Sequence, residues 1–145
     1  MACIGNLHRG DDGAGHRVAD LLSGEAGAKV IRLQTPAELL NYLTGDIDLL
    51  VVVDAMEKFS GAGAIHRLDS IDKLSRTAAW RSTHTMTLPE IIGLAESLNI
   101  LPPKTIVYGI EGERFEQGSG LSERVEKACI SVASEIKNLL RGCGE

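Results

Sequence analysis

The sequence is poor in aromatic residues and cysteine, and it contains no long apolar stretch. Aromatic residues make up 3% of the 145 residues, so large aromatic pockets for peptide side chains are not predicted. The three cysteines are an odd number without Cys-x-x-Cys spacing, which excludes a disulfide framework and a structural zinc site and favours a reducing compartment. Because there is neither an apolar run of the roughly 20 residues that span a membrane nor a signal-peptide pattern, we expect a cytoplasmic protein.

The chain also has no excess of basic residues over acidic ones. The net charge is −5 and no Lys/Arg cluster is present, which argues against nucleic acid and anionic membranes as partners. The hydrophobic fraction of 43% and the charged fraction of 24% are typical of a soluble globular protein. A chain of this length buries one core, so we expect a single domain over residues 1–145. We also expect a monomer.

Apolar runs alternate with segments of helical periodicity, which predicts a three-layer α/β/α fold with a mostly parallel sheet of about five strands. The predicted strands are Ala2–Gly5, Ala28–Leu33, Leu49–Val53, Ile65–Leu68 and Thr105–Ile110. The predicted helices run from about Gly13 to Leu22, from Thr35 through Leu43, from Thr87 through Leu98 and from Ser122 through Leu140.

Three local patterns refine this assignment. Ile65–Leu68 is the weakest strand and is predicted at an edge of the sheet. Thr35 is predicted to cap a helix whose first residue is Pro36. The segment from Thr87 to Glu90 has the pattern of a capping box.

The loop after the first predicted strand is rich in glycine and acidic residues. Gly5 and Gly10 have the G-x-x-x-x-G spacing of a phosphate-binding loop. Asp11 and Asp12 then stand where such a loop has Lys and Ser/Thr, and they would repel an anion, which makes a nucleotide-binding protein improbable. We expect this loop to face a cation or a proton, or one of the two carboxylates to cap the first helix.

Two further candidate residues lie beyond the carboxyl ends of predicted strands, where parallel α/β proteins have their catalytic and ligand-binding side chains. Asp54 directly follows a buried apolar strand, where a carboxylate requires a cation, a set of donors or a shared proton. The alternative for Asp54 is a turn-forming role with bonds to its own loop. His84 lies among small hydroxylated residues that suit an active-site turn, and its alternative is a surface or hydrogen-bonded histidine.

Asp12, Asp54 and His84 together form a set of two carboxylates and one imidazole from three loops. Such a set suits a borderline ion such as Ni²⁺ or Zn²⁺, and it equally describes a carboxylate pair with a proton-handling histidine. No G-x-S-x-G elbow is present and Cys3 lies within a strand, so no serine or cysteine nucleophile is predicted.

Several motifs, in the same order and over nearly the whole chain, resemble those of the [NiFe]-hydrogenase maturation endopeptidases. They are Gly5-Asn6, Gly10-Asp11-Asp12-Gly13-Ala14-Gly15, Val52-Val53-Asp54-Ala55, Ser82-Thr83-His84, Gly109-Ile110-Glu111 and Gly118-Ser119-Gly120-Leu121-Ser122.

The resemblance implies an α/β/α endopeptidase that removes the C-terminal extension of the hydrogenase large-subunit precursor after nickel insertion. It implies that Asp12, Asp54 and His84 contact the metal and take part in catalysis. The Ni²⁺ would be supplied by the substrate, and Zn²⁺ or Cd²⁺ could occupy the same site. A metal-bound hydroxide and a carboxylate base both remain possible for activating water. The alternative from another class is a non-catalytic nickel chaperone or sensor that uses the same three side chains.

The chain departs from the family pattern at three places. Cys3 stands where a glycine is usual, Gly61-Ala62-Gly63 replaces a Pro-Gly turn, and Gly112 stands where proline is common. We expect these changes to affect loop stiffness and substrate choice more than the chemistry.

Overall fold

The computed structural model describes residues 1–6, 8–25, 27–57, 60–69, 73, 80 and 86–143. Its five-stranded sheet consists of β1 (Ala2–Ile4), β2 (Ile31–Leu33), β3 (Leu49–Met56), β4 (Ile65–Leu68) and β5 (Lys104–Glu111), in the order β2-β1-β3-β5-β4. The first four strands in this order are parallel, and β4 pairs antiparallel with β5 at the edge. The mostly parallel sheet and the edge position of β4 are therefore confirmed.

Helices cover both faces of this sheet. They are α1 (Ala14–Leu21), α2 (Leu88–Ser97) and α3 (Glu123–Cys143), with 3-10 helices at Gly10–Gly13 and Pro36–Asn41. Helices α1 and α3 bury one face in a core that includes Val18, Cys129 and Tyr108. Helix α2 and the second 3-10 helix bury the other face, in a core that includes Ile91 and Val52. The predicted three layers are confirmed, and no described helix is both long and apolar enough to cross a membrane.

The helices after β2 and before β5 begin where the sequence predicts, but their helix type or capping contacts differ from the prediction. Thr35 caps the segment after β2 as predicted, and its backbone N–H donates to Glu38 Oε2 at 3.0 Å. That segment is a 3-10 helix ending at Asn41, however, and not a longer helix through Leu43. Thr87 is the N-cap of α2, but its hydroxyl lies 3.2 Å from Glu90 Oε1 and caps no backbone N–H. The predicted capping box is therefore wrong at Thr87.

Strand lengths differ from the prediction because each strand extends only as far as its neighbour pairs with it. β2 begins at Ile31 and not at Ala28, since it pairs with the three residues of β1. β3 and β5 extend each other, with Asp54 opposite Gly109 and Met56 opposite Glu111. Asp54 therefore lies inside a strand and not in the loop that follows it, which corrects its predicted setting.

Gly15 tests how closely α1 approaches the sheet. A Cβ atom at Gly15 would lie 2.2 Å from the Ile4 carbonyl oxygen and 3.0 Å from that of Val53. We expect Gly15→Ala to lower the free energy of unfolding by about 2 kcal/mol or more, since rigid backbone must move to admit the methyl group. Gly93→Ala in α2 is the matched control, because nothing lies within 4 Å of its added Cβ. We expect this control to be neutral or stabilising by up to ~1 kcal/mol in urea unfolding. Equal effects of the two substitutions would contradict the packing of α1 on β1.

Candidate active site

The loop after β1 folds back tightly on itself and on the segment after β5. Gly10 has a φ of +57°, and a Cβ there would lie 2.3 Å from the Arg114 carbonyl oxygen. The Asn6 N–H donates to the Asp12 carbonyl oxygen at 3.0 Å, which closes the loop. The two glycines with phosphate-loop spacing thus serve close backbone approaches, and Asp11 and Asp12 follow directly in a 3-10 helix.

Asp11 is fully buried and joins the β1–α1 loop to the segment between β5 and α3. Its Oδ2 accepts the N–H groups of Glu113 at 2.9 Å and Arg114 at 3.0 Å. Ser122 donates its N–H to Oδ1 at 2.7 Å and its hydroxyl to Oδ2 at 3.0 Å. Neither the 3-10 helix nor α1 has a side-chain cap. The helix-cap interpretation is therefore wrong for Asp11, because these loop donors occupy its carboxylate.

The structure places Asp12 and Asp54 at the same carboxyl edge of the sheet. Asp12 lies in the 3-10 helix that follows β1, is 5% exposed, and belongs to a segment that contacts β3. Asp54 is half-buried in β3, one residue beyond the last residue that pairs with β1. Its Oδ1 accepts the Ala55 N–H at 2.8 Å, a local bond made within a strand and not in the predicted turn.

His84 lies outside the described residues, so its convergence with the two carboxylates stays a prediction. The described residue nearest before it, Trp80, forms an antiparallel bridge with Met56 at the end of β3. Trp80 also lies 3.0 Å from the position of a Cβ added at Gly109, the residue opposite Asp54. Trp80 is the single tryptophan of the chain, and it is therefore a spectroscopic probe beside Asp54.

A second fully buried carboxylate, which reasoning from single residues missed, ends β5. Glu111 is fully buried and binds Ser60, Gly61 and His66. A carboxylate closing a buried strand is the signal that drew attention to Asp54, and it applies equally to Glu111. His66, on the neighbouring edge strand β4, contacts this carboxylate through Nε2 at 2.6 Å.

Other chemistries find little support among the described residues. Burial raises the pKa of the Cys3 thiol to about 12, and burial does the same for Cys129, so neither is a thiolate nucleophile near neutral pH. Within the described ranges, no three His, Cys, Asp or Glu side chains are grouped so that they could hold a metal ion. Asp12 and Asp54 are the predicted ligands that the described part contains, and their oxygen donors suit a divalent cation.

Comparison with known proteins shows which family the chain belongs to. A family model described as hydrogenase maturation protease (HycI) matches residues 34–139, which is well over half of the chain. The chain belongs to the hydrogenase maturation protease family. It is therefore a member of a peptidase family, and Asp54 and His84 lie within the matched range while Asp12 precedes it.

Solved structures of similar fold carry related descriptions. The hydrogenase maturating endopeptidase HybD from E. coli has a TM-score of 0.82 at 21% identity, covering 99% of this chain and 91% of that one. The [NiFe] hydrogenase maturation protease HybD from Thermococcus kodakarensis has a TM-score of 0.75 at 26% identity, covering 96% and 95%. The endopeptidase HycI from Escherichia coli has a TM-score of 0.78 at 22% identity, covering 94% and 87%. No curated protein gave a significant match.

The contacts of Asp11 predict a structural role distinct from catalysis. We expect Asp11→Asn to lower the free energy of unfolding by about 3 kcal/mol, since the amide removes the charge and points N–H groups at N–H donors. Asp46→Asn, at an exposed position, is the matched control and should change stability by less than about 0.5 kcal/mol in urea unfolding. A stability of Asp11→Asn close to that of this control would contradict the role assigned to Asp11.

Proposed function

We propose that this protein is a cytoplasmic, monomeric endopeptidase that removes the C-terminal extension of a [NiFe]-hydrogenase large-subunit precursor after nickel insertion. Membership of the maturation protease family supports the peptidase activity. The observation that carries the proposal is the placement of two carboxylates, Asp12 and Asp54, at one carboxyl edge of the sheet. Parallel α/β proteins bind their ligands at this edge.

In this proposal Asp12, Asp54 and His84 recognise the Ni²⁺ held by the precursor. Two carboxylate oxygens and one imidazole nitrogen suit a borderline divalent ion, and Zn²⁺ or Cd²⁺ could take its place. A strongly preformed site is not needed, because the metal arrives already bound to the substrate. Contact with the ion then orients the neighbouring peptide bond, so that much of the selectivity comes from the metal and less from side-chain pockets.

Asp12 is nearly fully buried at the carboxyl edge, where its carboxylate could contact a cation that the substrate brings. An ionised group that is only 5% exposed is costly without partners of opposite charge or hydrogen-bond donors. Hydrolysis of the peptide bond also requires a proton acceptor for the attacking water, and Asp12 and Asp54 are the carboxylates that we assign to this task. His84 would hold or transfer a proton at its ring nitrogens, in addition to contacting the metal.

Nickel in the precursor should decide whether cleavage occurs. We expect the mass of a nickel-loaded large subunit to fall by the mass of its extension on incubation with the protein, while nickel-free precursor stays uncut. Asp12→Asn should leave both forms uncut. Equal cleavage of the two precursors would show that the three side chains do not recognise the metal. A change in metal occupancy without shortening would favour the chaperone or sensor instead.

Removing one charge or one imidazole should abolish turnover without unfolding the protein. We expect Asp54→Asn and His84→Ala each to lower kcat/KM for nickel-loaded precursor by roughly 100-fold or more, since in this proposal both side chains act on the metal or on a proton. Circular dichroism and thermal melting check the fold, and Asp46→Asn serves as the charge-matched control.

Quenching of the Trp80 fluorescence by added Ni²⁺ reports metal binding independently of cleavage. We expect the quenching to weaken in both active-site variants and to persist in Asp46→Asn. A variant with near-native cleavage would remove its residue from the mechanism.

A further inference from the structure

Glu111 receives hydrogen bonds from two separate segments of the chain. Its Oε1 accepts the N–H groups of Ser60 at 2.8 Å and Gly61 at 3.0 Å. Its Oε2 accepts the Ser60 hydroxyl at 2.5 Å and His66 Nε2 at 2.6 Å. A carboxylate offers about four acceptor positions, and four donors from the described residues are directed at them. Glu111 therefore ties the β3–β4 connection and strand β4 to the end of β5.

The backbone of Glu111 also binds the connection between β3 and β4. The Glu111 N–H donates to Ala64 O at 2.9 Å, and the Gly63 N–H donates to Glu111 O at 2.7 Å. Since residues 60–64 belong to the connection that leaves the strand of Asp54, Glu111 holds this connection through its side chain and its main chain together.

The register of the sheet places these contacts beside Asp54. Gly109 is opposite Asp54 on β3 and opposite His66 on β4. Residues directly opposite each other point to the same face of a sheet. Asp54 and His66 therefore share the face that packs against α2, with only a glycine between them. His66 is 25% exposed and Glu111 is fully buried.

We propose that Glu111 is a positioning residue for the cleavage reaction, which holds residues 60–66 beside Asp54 as one wall of the candidate active site. This role rests on the proposed function, since it concerns the same substrate. Glu111 acts through the wall and does not act on the reacting bond, because its acceptor positions are already directed at Ser60, Gly61 and His66. Its loss should therefore weaken substrate binding more than turnover.

The test compares Glu111→Gln and His66→Gln with Glu126→Gln. A glutamine at 111 offers one acceptor oxygen and one donor amide, so it cannot satisfy four donors. Glu126 is the matched control, because its carboxylate accepts a hydrogen bond from Arg17 Nε at 2.9 Å between α1 and α3, on the other face of the sheet. His66→Gln, at a half-buried edge-strand position, keeps the test decisive if Glu111→Gln does not fold.

We expect Glu111→Gln and His66→Gln each to raise the KM for nickel-loaded precursor by at least about fivefold, while kcat changes by less than about threefold. Quenching of Trp80 fluorescence by Ni²⁺ should stay as in the wild type, and Glu126→Gln should leave KM unchanged. Hydrogen exchange at the amides of Ser60 and Gly61 should accelerate in Glu111→Gln, because these groups lose their acceptor.

An unchanged KM in folded Glu111→Gln and His66→Gln proteins would overturn the positioning role. A complete loss of turnover in Ser60→Ala would also overturn it, since the cluster would then take part in breaking the bond. If the wild-type protein leaves the precursor uncut, the proposed function is wrong. In that case the amide hydrogen-exchange rates at Ser60 and Gly61 are the remaining test of the role of Glu111, and unchanged rates in Glu111→Gln would overturn the positioning role.

Discussion

Two fully buried carboxylates meet at the carboxyl end of β5, and the arrangement of the candidate site depends on them. Asp11 reaches this point from the β1–α1 loop, and Glu111 belongs to the strand itself. Between them lies Gly112, where an added Cβ would be only 2.6 Å from the Cβ of Asp11. Each carboxylate must collect donors to offset its removal from water, and these donors come from the neighbouring loops and from His66 on β4. Burial of charge is thus the constraint that sets the loop positions.

Because of this constraint, the adjacent residues Asp11 and Asp12 have different roles. Asp11 is satisfied by donors after β5, which fixes the backbone of the 3-10 helix Gly10–Gly13. The next residue, Asp12, is carried by that fixed backbone toward the edge where β3 presents Asp54. Glu111 does the same for the connection after Asp54. Asp12 and Asp54, two of the three predicted ligands, therefore lie on segments that hydrogen bonds to β5 and its loop hold, and a precise site requires rigid support of this kind.

The sequence is sufficient to predict the layers and the position of Asp12 and Asp54 at one edge of the sheet, because both predictions depend on local patterns. Alternation of apolar runs with helical periodicity predicts the sheet, and the carboxyl-edge rule selects Asp12 and Asp54 without knowledge of their neighbours. The functions of Asp11 and Glu111 are not local. The donors to Asp11 lie 102 to 111 positions away in the chain, and His66 is 45 positions from Glu111. A pattern read along the chain cannot pair groups at such separations, and for the same reason it ended β3 before Asp54.

Gly112 shows how a departure from the family pattern can follow from these contacts. A proline at this position would lack the N–H that Gly112 donates to Met56 O at 3.0 Å. That bond continues the pairing of β3 and β5 beyond Glu111, and it keeps the end of the strand carrying Asp54 attached to its neighbour. Any side chain here would also meet Phe115, whose Cζ lies 2.9 Å from the added Cβ. Glycine at 112 thus exchanges the stiffness of proline for a backbone bond and close packing, so the end of β3 is held by hydrogen bonding instead of by a rigid turn.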